Sequence, residues 1–149
     1  MKIPYFRQNT EYTCGPAAMR MALGALGIVK SERQLSLLLH TNSMVGTRRK
    51  AFPLLAERLL LDYVVERESS IEDIKEAIAS GFIVIVNYFY TVEQVPHFAV
   101  VKRIDSNRIY LLDPEAGPGH SYPLAEFISN WHSGPSREKG KRWFFGIRK

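Results

Sequence analysis

The hydrophobic pattern changes period once along this chain, at Gly81, and that single switch restricts the fold more than any other feature. Upstream, apolar residues recur at helical spacing. Ala17, Ala18, Met19, Met21, Ala22, Leu23, Ala25 and Leu26 follow Cys14-Gly15-Pro16, and Pro16 suits a first helical turn because its missing N–H would have no partner there. This helix is expected to be largely buried and to end near Gly27. Ser31 with Gln34, and Ser70 with Asp73, have the spacing of reciprocal capping boxes, predicting helices that run to about His40 and about Ser80. Thr47 to Leu61 also reads as helical, with Pro53 marking its true start or a kink.

Downstream of Gly81 the runs are β-branched and of strand length: Phe82 to Val86, Phe98 to Val101 and Ile109 to Leu112. Asp105-Ser106-Asn107-Arg108 supplies turn chemistry between the last two, which predicts an antiparallel hairpin. Leu124 to Trp131 reads as a short helix and Trp143 to Ile147 as a closing strand. Helices first and strands later define an α+β chain rather than an alternating α/β one. With 149 residues, no internal repeat and no low-complexity linker, residues 1–149 are expected to form one domain.

The net charge of +5 invites a nucleic-acid reading until its distribution is examined. Residues 1–136 hold 14 Lys and Arg against 14 Asp and Glu, so the whole excess falls in residues 137–149. Trp143, Phe144, Phe145 and Ile147 inside that segment look like a buried strand, and no nucleic-acid partner is expected. No signal-peptide stretch opens the sequence, and Phe82 to Tyr90, interrupted by Asn87, is far short of a membrane span. A single cysteine, Cys14, excludes an internal disulfide and any zinc site built on several thiolates, and it points to a reducing, cytoplasmic setting.

Cys14 stands at the entrance to its helix, where unpaired N–H groups and the positive end of the macrodipole favour a thiolate, and Gly15 keeps the approach to sulfur open. A nucleophilic thiol needs a base and a group that orients the base. His97, at the start of one predicted strand, and Asp113, at the end of the next, fill those roles because a hairpin sets such ends side by side. A turn centred between Ser106 and Asn107 puts His97 opposite Ala116 instead, so a bulge or a longer turn is required. Gln8, six residues before Cys14, offers a side-chain amide to a developing oxyanion together with the Cys14 N–H, or else bonds to loop backbone.

Gln8 to Ala18 with its Cys14-Gly15-Pro16 core, Pro96-His97-Phe98-Ala99-Val100-Val101, Asp113-Pro114 with Gly117, Glu126-Phe127 and Trp131 together resemble the bacteriocin-processing (double-glycine leader) peptidases and their stand-alone relatives, within the papain-like cysteine peptidases. The resemblance covers nearly the whole chain. It implies a helical part carrying Cys14, an antiparallel sheet carrying His97 and Asp113, Gln8 in the oxyanion hole, a peptide or protein substrate and no cofactor. Pro96 stands where relatives usually have glycine, which fixes the backbone entering the strand. The better-known members are attached to a transporter; a separate transporter partner is left open here.

Two alternatives keep the same fold: a thiol acyltransferase, if an amine or thiol captures the acyl-enzyme, and a non-catalytic peptide-binding module. The second is disfavoured by the presence of all four residues. His40, His120 and His132 have no ligand-like spacing, and no metal site is expected. Asp113 to Gly119 reads as a turn segment, and Gly46-Thr47-Arg48-Arg49-Lys50 as a solvated helix face.

Overall fold

The computed structural model describes residues 2–149. The chain order is α1 (Cys14–Ala25), α2 (Glu32–Leu38), α3 (Ala51–Arg58), β1 (Asp62–Glu66), α4 (Ile71–Ala79), β2 (Ile83–Tyr90), β3 (Val95–Ile104), β4 (Arg108–Asp113), β5 (Gly117–Pro123), α5 (Leu124–Ser129) and β6 (Phe144–Arg148). All six strands join one sheet in the order β1-β6-β2-β3-β4-β5, and every neighbouring pair is antiparallel.

Both capping boxes form. Ser31 and Ser70 accept from the backbone N–H of Gln34 and Asp73, whose side chains accept in return from the cap N–H groups. Each box satisfies two donors that a helix start leaves unpaired. The third predicted helix is shorter than expected: it starts at Ala51, with Pro53 in its first turn, and Thr47 to Lys50 are loop. Two strands were not anticipated. β1 and β5 sit at the two edges of the sheet, and β5 begins at Gly117, inside the segment expected only to turn.

Alternation along the central strands gives the sheet two packed faces. One face buries Ile83, Ile85, Phe98, Val100, Leu112 and Phe145 against α1, α2 and α3, with Phe52 from α3 contacting Phe98, Trp143 and Phe145 at 4.8, 5.9 and 5.6 Å between ring centroids. The other buries Val84, Val86, Tyr88, Ala99, Val101 and Phe144 against α4 and α5. The helix that opens with Cys14 is therefore clamped on the first face, and eight of its residues are buried. Among the described residues, no helix is long and apolar enough to cross a membrane.

Candidate active site

The hairpin of β3 and β4 contains the irregularity that the spacing demanded. Ile104 pairs with Ile109 and Arg103 with Tyr110, a bulge follows, and Val101 then pairs with Leu111 and Val100 with Leu112. Continued to His97, this register falls at residue 115, and Asp113 becomes the diagonal neighbour on the same face. The contacts agree: His97 Nδ1 lies 3.1 Å from Asp113 Oδ2, and His97 Nε2 lies 3.2 Å from Glu115 Oε2. Tyr90 stacks on the imidazole at 4.4 Å.

Asp113 is fully buried and fully satisfied. Its Oδ1 accepts from the N–H of Glu115 and of Ala116, both at 2.8 Å, in a turn that starts from its own side chain. Its Oδ2 accepts from Tyr88 Oη as well as pairing with His97. Burial alone would raise this carboxyl, but the hydrogen bond and charge of His97 and the bonds from Tyr88 and Ala116 outweigh it, so the pKa is lowered. Burial would likewise lower His97; the anions Asp113, Glu115 and Glu93 reverse that and raise it. Glu115 is itself raised, by burial first and then by its hydrogen bond with Glu93. Glu93, His97 and Glu115 bring one ligand atom each within 4.8 Å of one another, the one grouping among the described residues with the reach to hold a cation.

Past Leu112, β4 leaves β3, and the backbone N–H groups of Phe98, the residue after His97, and of Gly15 and Cys14 act on the thiol. These donors favour a thiolate. Burial, reinforced by the Asp113 charge, is the larger effect and pushes the thiol up to about 11, against the pull of the helix end. Gly15 has a packing use besides. A Cβ there would collide with Thr47 Oγ1, so the glycine admits the loop before α3 against the first turn of α1.

The four sequence-derived residues are thus gathered in two groups. His97 and Asp113 form a direct pair, whereas Cys14, at the start of α1, packs against the core that holds Phe98 and, among the described residues, has no hydrogen bond to the imidazole. Gln8 is anchored beside Asp113 through its backbone, which donates to the Pro114 carbonyl at 3.0 Å. Its side-chain Nε2 donates to Thr10 O at 2.8 Å, and its Oε1 is buried without a partner.

Cys14 opens into a cleft of about 890 Å³ walled by the 45–50 loop, the start of β3 and residues 139–143. Arg48, Arg49 and Lys50, expected on a solvated helix face, stand in the loop before α3 and line the cleft, with Arg48 and Lys50 exposed and Arg49 half-buried. The sequence signal for this was the run of three cations beside glycine, but only the packing of Thr47 against Gly15 brings it to the cleft.

A cysteine at the first residue of a buried helix, packed against an antiparallel sheet that carries a His–Asp pair, is the layout of the papain-like cysteine peptidase fold. More narrowly, the chain belongs to the Peptidase_C39 like family, whose description matches residues 1–135. Solved structures agree in fold. A Bacillus anthracis protein described as a C39-like peptidase superposes with a TM-score of 0.76 at 16% identity, covering 99% of this chain and 95% of its own. A double-glycine motif protease from an AMS/PCAT transporter, in complex with its leader peptide, gives 0.74 at 19% identity over 99% and 93%. The peptidase domain of Streptococcus ComA, a bifunctional ABC transporter of a quorum-sensing pathway, gives 0.74 at 17% over 99% and 97%. A comparison with curated proteins finds no match.

Proposed function

We propose that this chain hydrolyses a peptide bond through a Cys14 acyl-enzyme, with His97 as base and then acid, Asp113 orienting His97, and Gln8 with the Cys14 N–H receiving the oxyanion. The reading is carried by one observation: a buried His97–Asp113 pair on the strand whose next residue, Phe98, belongs to the core against which Cys14 packs. In the resting arrangement the imidazole spans Asp113 and Glu115 and the thiol is protonated. Reaction begins when Nε2 leaves its proton on Glu115, whose own pKa is raised, and turns to the thiol while Nδ1 keeps Asp113, so that the proton of the thiol then passes to Nε2 as the thiolate adds to the carbonyl. The Gln8 amide exchanges Thr10 O for the oxyanion, His97 returns its proton to the leaving amine, and water releases the acyl group.

A peptide substrate also accords with the neighbour held in complex with a leader peptide. A free, unpaired Cys14 suits a reducing compartment such as the cytoplasm. The test is cleavage of a peptide library by the purified protein and by Cys14→Ala and His97→Ala. Each variant should lose on the order of 10³-fold or more in kcat/KM, in line with the cost of removing a nucleophile or its base. Undiminished cleavage by Cys14→Ala would sink the proposal.

A further inference from the structure

Arg49 lines the Cys14 cleft half-buried, and nothing of opposite charge reaches it. Its Nη1 donates to Asn87 Oδ1 at 3.3 Å and to Ser133 Oγ at 3.1 Å, both neutral. Among the described residues, Nη2 and Nε have no hydrogen-bond partner, and no carboxylate lies within ion-pair distance of the guanidinium. Burial, and then the nearby charge of Arg67, both lower its pKa, the direction expected of a cation lacking a counter-ion.

The placement is built rather than incidental. Asn87, which accepts from Arg49, is buried and donates Nδ2 to the His97 carbonyl at 3.0 Å, so the guanidinium is tied to the strand that carries His97. Gly140, at φ +64°, leaves the guanidinium its room: a Cβ there would meet Arg49 Nη1 at 2.9 Å and Ser133 Oγ at 3.0 Å. Arg48, Lys50, Arg67 and Lys139 line the same cleft, against Glu66 alone on the acidic side. A half-buried guanidinium with free donors is the side chain best shaped to take a carboxylate in a fork.

We propose that this cleft selects peptides by a carboxylate, an Asp or Glu side chain or the chain terminus, which docks on Arg49 with Arg67 behind it. The inference rests on the peptidase reading for its choice of a peptide, and the experiment separates the two. Cys14→Ala protein, which cannot turn over, is titrated with fluorescein-labelled short peptide pools. The pools are randomised except for one Glu or its Gln isostere, and each ends in either an acid or an amide.

The acid member should bind roughly tenfold tighter than its isostere, between the worth of an exposed and of a buried charge pair. The Glu and the terminal arms tell which carboxylate is read. The preference should vanish in Arg49→Gln, return in part in Arg49→Lys, shrink in the exposed Arg67→Gln, and persist in Lys102→Gln on the far part of β3. Equal binding of acid and amide, an unchanged preference in both Arg variants, or tighter binding of an RNA oligonucleotide than of acidic peptides would each overturn the proposal. Acidic peptides bound tightly by Cys14→Ala but left uncut by the unmutated protein would uphold this site and remove the peptidase reading. Cleavage blind to peptide charge would do the reverse.

Discussion

Asp113, Glu115 and Glu93 raise the pKa of His97 against the opposing effect of burial, and the consequence for catalysis has a definite sign. Only neutral imidazole can accept the thiol proton, so activity should rise as pH climbs through the raised His97 value. Glu115→Gln removes one of the anions that raise it, and the rising limb of kcat/KM against pH should move to lower pH; a limb that stays put would detach Glu115 from the imidazole. Stability follows the same pair. The lowered Asp113 contributes fully above its unfolded value and loses that contribution as pH falls through its folded one, whereas the raised His97 contributes fully below its unfolded value and loses it as pH rises through its folded one. Both are present between about pH 4 and 6.5. Asp113→Asn should cost about 3 kcal/mol in urea unfolding within that window, because Tyr88, His97 and two backbone donors lose a charged acceptor. Cys14, His97 and Asp113 were legible as residues because a strand start, a strand end and a helix entrance each leave a pattern. Glu115 and Arg49 were not. Their roles arise from a one-residue bulge and from a loop seated on Gly15, neither of which has a local signature.

Elements were readable where a local device defines them. The two serine boxes announce α2 and α4, and Ser70→Ala should lower stability by about 1 kcal/mol, read as a shift of the denaturant midpoint with unchanged slope. The central strands were readable from unbroken apolar runs, since both of their faces are covered. The two unforeseen strands are the edges. β1 is half exposed along its length, and β5 opens Gly117-Pro118-Gly119, a composition that strands tolerate only where one side needs no hydrogen-bonded neighbour. The bulge between Val101 and Arg103 was required by arithmetic before it was located, because the turn at residues 105–108 and the His97–Asp113 contact do not fit one register.

At the scale of the molecule, the basic residues at 137–149 are not an appended tail. Arg148 pairs with Asp62 at 2.6 Å and lies over the Phe82 ring, Lys141 pairs with Glu138, and Lys139 lines the cleft. Between them runs β6, whose Phe144 and Phe145 enter opposite faces of the sheet. Phe144→Ala and Phe145→Ala should therefore each cost about 3–5 kcal/mol. We propose that residues 1–149 unfold as one domain: circular dichroism and tryptophan fluorescence should then report a single shared midpoint, and separate transitions would refute it. β6 also governs timing. It lies between β1 and β2, so β1 has no sheet to join until residues 144–148 have been synthesised. During translation α1, Cys14 and even the β3–β4 hairpin emerge from the ribosome before β6, the sheet neighbour of β1. Val65 and Glu66, the part of the Cys14 cleft wall that β1 supplies, therefore reach the sheet only after β6.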